Sequence, residues 1–123
     1  MNRREKAKEL IWIFLENFDE EEGLVTKEEN GRYGYHTQLS EKIHHIKDSA
    51  NMAVGVFLLE WEEYYDQAIK ALHRVCDVQD TREDSRTFGV WPYYLEEDLD
   101  SMIAPDYNWA NFVGRDLLAV CIL

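Results

Sequence analysis

Three aspartates, Asp48, Asp80 and Asp106, lie at or near the expected starts of helices or in the loop between them. Glycoside hydrolysis uses two carboxyl groups about 5–10 Å apart, one of them kept protonated by its surroundings. These three are the best-placed candidates, although with 25 Asp and Glu in 123 residues surface solvation is the commoner duty for any one. His36, between Tyr33, Tyr35 and the polar stretch that follows, suits a general base, or a lyase-type partner to one of those tyrosines. His44 and Asp48 are four apart and would share one helical face, with His36 folding back toward them as a metal ligand. No HExxH or CxxC accompanies them, and Cys76 and Cys121 are isolated at apolar positions, so neither a metal nor another cofactor is expected. Nucleophilic chemistry has no support, because no Gly-x-Ser-x-Gly elbow and no phosphate-binding glycine loop is present.

A second group of residues suits binding. Phe88, Trp91, Tyr93, Tyr94, Tyr107, Trp109 and Phe112 crowd into residues 88–112. Flat rings with polar tips suit a surface apolar at one end and wet at the other. Such rings could face a sugar, with Arg82, Asp106 and Asn108 supplying hydrogen bonds, or could simply fasten a long loop onto the helices. The candidate catalytic set is therefore His36, Asp80 and Asp106. The candidate substrate-binding set is Trp91, Tyr94, Asn108, Trp109 and Arg82.

The elements that must carry these residues read mainly as helices. Asn2 caps a helix over 3–18, in which Ala7, Leu10, Ile11, Phe14, Leu15 and Phe18 repeat at i, i+3, i+4. Residues 24–36 suggest a short β-hairpin around Asn30-Gly31. Ser40 would cap a second helix over 41–59, apolar on nearly every side from Met52 onward, with Gly55 allowing another element close. A third helix over 63–78 is amphipathic, and its boundary with the second is marked by neither Gly nor Pro. A long connection, 79–105, holds Gly89, Pro92 and Pro105, and such connections are often functional. Asp106 then caps a fourth, almost wholly apolar helix to Leu123. Amphipathic and apolar helices alternate, as in αα-hairpins with an outer and an inner layer.

Composition limits the function classes. One domain of 14.6 kDa, 46% hydrophobic and 31% charged, is neither disordered nor of low complexity. A net charge of −12 repels nucleic acid and anionic membrane, and leaves open a small acidic interaction protein that docks a basic or apolar partner. The apolar runs at 11–15 and 117–123 are too short to span a bilayer. Two cysteines without an export signal suggest free thiols in the cytoplasm. A fourth helix apolar all round needs more partners than the chain offers. Self-association, or a further C-terminal segment, is expected to cover 117–123.

Gln79-Asp80-Thr81-Arg82, Phe88-Gly89-Val90-Trp91-Pro92-Tyr93-Tyr94 and Ala104-Pro105-Asp106-Tyr107-Asn108-Trp109-Ala110 resemble six-hairpin (α/α toroid) glycosidase and polysaccharide-lyase-like proteins. Tyr33-Gly34-Tyr35-His36 and His44 to Asp48 resemble the preceding hairpin of such a toroid. The resemblance implies an all-α chain forming an incomplete toroid, either a single helical domain over 1–123 or the N-terminal part of a larger one. It also implies a carbohydrate ligand met at the starts of the second and fourth helices. A closed toroid needs twelve helices, so catalysis would be incomplete in this chain, and whether the protein is an enzyme stays open.

Overall fold

The computed structural model describes residues 2–29, 32–33, 37–38, 41–100 and 105–122. Helix α1 (Arg3–Glu16) opens with a reciprocal cap: Asn2 Oδ1 accepts the Glu5 N–H, and the Glu5 carboxylate accepts the Asn2 N–H. It stops two residues earlier than its apolar repeat suggests, because Asn17 caps it and Phe18 turns into a strand. Strands β1 (Phe18–Asp19) and β2 (Leu24–Glu29) form a hairpin in which the acidic run begins at the last residue of β1 and continues into the turn at 20–23. Asp19 Oδ1 accepts the N–H groups of Glu21 and Glu22, and Gly23 takes φ +75° to bring the chain back.

The fold is mixed α/β, which corrects the all-α expectation. Strand β2 pairs antiparallel with β5 (Glu41–His45), giving a three-stranded sheet in the order β1-β2-β5. Strands β3 (Arg32–Tyr33) and β4 (Thr37–Gln38) pair separately. The hairpin expected over 24–36 is thus replaced: β2 finds its partner at 41–45, and Asn30-Gly31 lies outside the described residues. Residues 41–45 join the sheet because β2 offers them a ladder, and because His45 caps α2 (Ile46–Leu58) by accepting the Asp48 N–H on Nδ1. The helix cap is therefore His45, not Ser40.

Helix α2 is the centre of the molecule. Ala53 and Val56 pack with Val25, Ala68 and Ala71 and with the half-buried Ile11, Phe14 and Leu15 of α1. A 3-10 turn (Glu62–Tyr64) leads directly into α3 (Tyr65–Val78), where Ala68, Ala71 and Val75 are buried and Ile69, Lys70 and His73 are exposed. A second cluster joins Leu24, Ile46, Val75, Trp91 and Val113 beneath the long connection. Helix α4 (Asn108–Ile122) buries only Val113 and Asp116, while Leu118 is 63% and Ile122 78% exposed. Leu58 is 58% exposed at the end of α2. In α2 every residue from Ile46 to Phe57 is buried or half-buried, so the expected all-round burial fails in α4 rather than in α2. Among the described residues no α/α toroid is seen: four α-helices and a three-stranded sheet pack around two main apolar clusters and two smaller ones.

Candidate functional site

Hydrogen bonds within the chain hold the described part of the long connection, 79–100, in place. Asp80 is its anchor. Its Oδ1 accepts the Arg82 backbone N–H and Nε, both at 3.0 Å. Its Oδ2 accepts Arg82 Nη2 at 3.1 Å and the hydroxyls of Ser85 and Thr87, each at 2.6 Å. Asp80 also exchanges backbone bonds with Gly89 and Val90, with Gly89 at φ +83°. The Arg82 hydrogen bonds, then those of Ser85 and Thr87, hold the Asp80 carboxyl far below the usual carboxylate range. A carboxylate so saturated is a fixed anion and holds no proton for acid catalysis. Arg82 is equally committed, spanning Asp80 and both oxygens of Asp100 at 2.9 Å.

The next stretch is pulled onto the sheet. Leu95 N–H donates to the His44 carbonyl at 2.9 Å, Ile46 N–H donates to the Tyr93 carbonyl at 3.0 Å, and Tyr94 forms a β-bridge with His45. Glu97 Oε1 accepts the N–H groups of Tyr93 and Tyr94. The 93–95 stretch thus runs beside β5 as a further short edge. This brings its rings to the start of α2 and, across from it, to the start of α4.

There an aromatic surface forms. The Tyr93 and Trp109 rings meet edge to face with centroids 4.4 Å apart, and Phe112 lies 6.0 Å beyond Trp109. His45 contacts both Tyr94 and Trp109. The Tyr93 hydroxyl donates to Asp106 Oδ2 at 2.6 Å. Burial, then that bond, pushes the Tyr93 phenol well above its ordinary range, so it stays a neutral donor. Asp106 Oδ1 accepts the Asn108 N–H at the start of α4, as an N-terminal cap does. Asn108 is exposed, Asp106 and Trp109 are half-buried, and Phe112 is exposed. The Trp109 Nε1 hydrogen meets no acceptor among the described residues.

The sequence candidates separate on this geometry. Asp106, Asn108 and Trp109 come together, joined by Tyr93, His45 and Phe112, which the candidate sets omit. Trp91 is in the core instead, 6% exposed, donating its indole N–H to the Val75 carbonyl at 2.8 Å. Tyr94 is buried as well. Asp80 and Arg82 line a separate open cleft of about 480 Å³ with Asp77, Pro92, Leu95 and Asp100. His36 lies outside the described residues. His44 shares no helical face with Asp48, because it sits in β5, and its two ring nitrogens face Asp19 and Glu96. Aromatic density in the sequence pointed to the stretch that holds the Tyr93–Trp109–Phe112 cluster. It could not show which rings turn inward, nor that a histidine would cap α2.

No protein-family model, no curated protein and no solved structure matches this chain. Among the described residues no helix is long and apolar enough to cross a membrane.

Proposed function

We propose that the chain binds a carbohydrate at the surface formed by Tyr93, Asp106, Asn108, Trp109 and Phe112, as a binding element and not as a complete catalyst. One observation carries this reading: Trp109 stands half-buried between the rings of Tyr93 and Phe112, with the polar side chains of Asp106 and Asn108 on the same helix start. A pyranose has an apolar C–H face that stacks on such rings and a rim of hydroxyls that pair with carboxylate and amide groups. Burying one face and satisfying the rim is how a small polar ligand is oriented. Hydrolysis would need a second carboxyl group held protonated, and Asp80 is committed as an anion within its loop. The two free thiols, Cys76 and Cys121, support a reducing cytoplasm as the place of action.

The test is titration of a panel of neutral and acidic oligosaccharides, followed by calorimetry and by shifts of the Trp109 indole resonance. Binding below the millimolar range, lost in Trp109→Ala and at least several-fold weaker in Asn108→Ala, supports the reading. A panel without binding, or a Trp109→Ala variant that binds unchanged, overturns it.

The exposed side of α4 favours a second reading, in which the chain associates with a copy of itself. Phe112, Arg115, Leu118, Cys121 and Ile122 are exposed there, and none is a carboxylate. On a chain of net charge −12 most surfaces repel a second copy, whereas this one offers apolar area and a single cation. Sedimentation should then show a dimer that strengthens with salt as repulsion is screened, and Leu118→Ser with Ile122→Ser should return it to a monomer. A monomer at all salt concentrations, or a dimer indifferent to both substitutions, removes this reading.

A further inference from the structure

His44 is gripped from two sides. Its Nε2 lies 2.9 Å from Asp19 Oδ2 on β1, and its Nδ1 lies 2.9 Å from Glu96 Oε2. Its backbone N–H donates to the other Glu96 oxygen at 2.6 Å, so the carboxylate clasps both the ring and the chain of one residue. The imidazole is only 11% exposed. A carboxylate oxygen opposite each ring nitrogen favours a proton on both, that is, the imidazolium form.

The surrounding charges are few. Lys42 of the same strand places its Nζ 3.9 Å from Asp19 Oδ2, and Thr26, opposite His44 on β2, brings no charge. Asp19 also holds the Glu21 and Glu22 N–H groups. Glu96 has no donor other than His44 among the described residues. The two carboxylates are therefore tied unequally.

We infer that His44 is a proton-dependent tether that holds residues 93–97, and with them the Tyr93–Trp109 contact, against β5. Its functional meaning rests on the carbohydrate reading of that surface, but its test does not. A neutral imidazole has one N–H for two carboxylates, and its bare nitrogen then faces a carboxylate oxygen that has no hydrogen to donate. Asp19 keeps its other donors, so Glu96 is the side that lets go. The backbone bonds from Leu95 to His44 and from Ile46 to Tyr93 are next to it and should loosen with it. Burial works against the cation, but the bonds to Asp19 and Glu96 outweigh it, and the His44 value is raised above 6.5. A raised value means that the tether is complete below pH 6.5 and is lost as pH rises through the folded-state value.

The experiment is an NMR titration of the His44 ring together with amide exchange, expressed as protection factors, in the unliganded protein. His44 should titrate above 6.5. Protection of the Leu95 and Ile46 amides should fall several-fold through that titration, while the Met52 amide in the centre of α2 holds. Glu96→Gln should lower the His44 midpoint and loosen the same two amides at neutral pH. A midpoint at or below 6.5 in the wild-type chain overturns the inference, as does protection at Leu95 and Ile46 that merely follows Met52. A negative sugar panel would leave this result standing, and a failed tether would leave any sugar binding intact.

Discussion

Lys47 Nζ sits 2.6 Å from Asp116 Oδ2, and the pair joins α2 to α4 with side chains only 13% and 11% exposed. The ammonium also donates to Asn51 Oδ1 and to the Phe112 carbonyl, so its hydrogens are well used. Removing one partner leaves the other charge buried and alone, which costs about 3–5 kcal/mol, whereas an apolar pair of similar volume is close to neutral. Asp116→Ala is therefore expected to lower unfolding stability by roughly 3 kcal/mol, and Lys47→Met with Asp116→Leu to recover most of it. Urea denaturation of the two variants beside the wild type checks this. Equal losses for the single and double variants would show that the pair does not hold α4 in place.

Asp80 should govern behaviour in acid. Its folded-state value lies far below the ordinary 3.8, so the stability it contributes is present above about pH 4 and is lost as pH falls through the folded value. Asp80→Asn keeps the shape but weakens the acceptor for Arg82, Ser85 and Thr87. The variant is expected to melt several degrees lower at neutral pH and to lose less than the wild type when acidified from pH 5 to pH 2. Parallel melting curves for the two proteins across that range would refute the assignment of Asp80 as the anchor of the loop.

Gly55 tests how closely α1 approaches α2. A Cβ there would overlap the end of the Ile11 side chain and lie 2.6 Å from Ile11 Cγ1. Alanine gains about 1 kcal/mol of helix propensity over glycine, while forcing Ile11 aside costs about 1–3 kcal/mol. Gly55→Ala should be destabilising by roughly 1 kcal/mol on balance. Combining it with Ile11→Ala should cost less than the two changes added separately, since the second removes the obstacle. Additive losses in denaturant would mean that α1 can shift away, and that the contact is loose.

What the residues disclosed in advance follows from range. The Asn2 cap, the end of α3 at Val78, the tight passage at Gly55 and the turn character of 19–22 depend on neighbours along the chain or on one residue's size. They were legible. Strand β5 was not, because Ile43 and Ile46 fit a helical stripe, and only β2, well before them in sequence, makes a ladder the better choice. Tyr94 and Trp91 show the same limit. Their types suit a sugar-facing surface, but β5 and the end of α3 draw both inward. The grip of Glu96 on His44 spans 52 positions, and nothing in either residue's surroundings announces the other.

Trp91 decides whether the ring-rich connection is a wall of the core or an exposed binding face. Its indole N–H donates to the carbonyl of Val75 in the last turn of α3, where helix carbonyls have no partner of their own. Trp91→Phe keeps most of the apolar packing and orphans that carbonyl, an expected loss of about 1–3 kcal/mol. Trp109→Phe strips an indole N–H that has no acceptor among the described residues, and should cost far less. Sugar binding, measured where both variants are fully folded, should follow the opposite order, weakened at 109 and unchanged at 91. If Trp91→Phe leaves stability untouched but abolishes binding, the ring at 91 reaches solvent and the site must be redrawn around it.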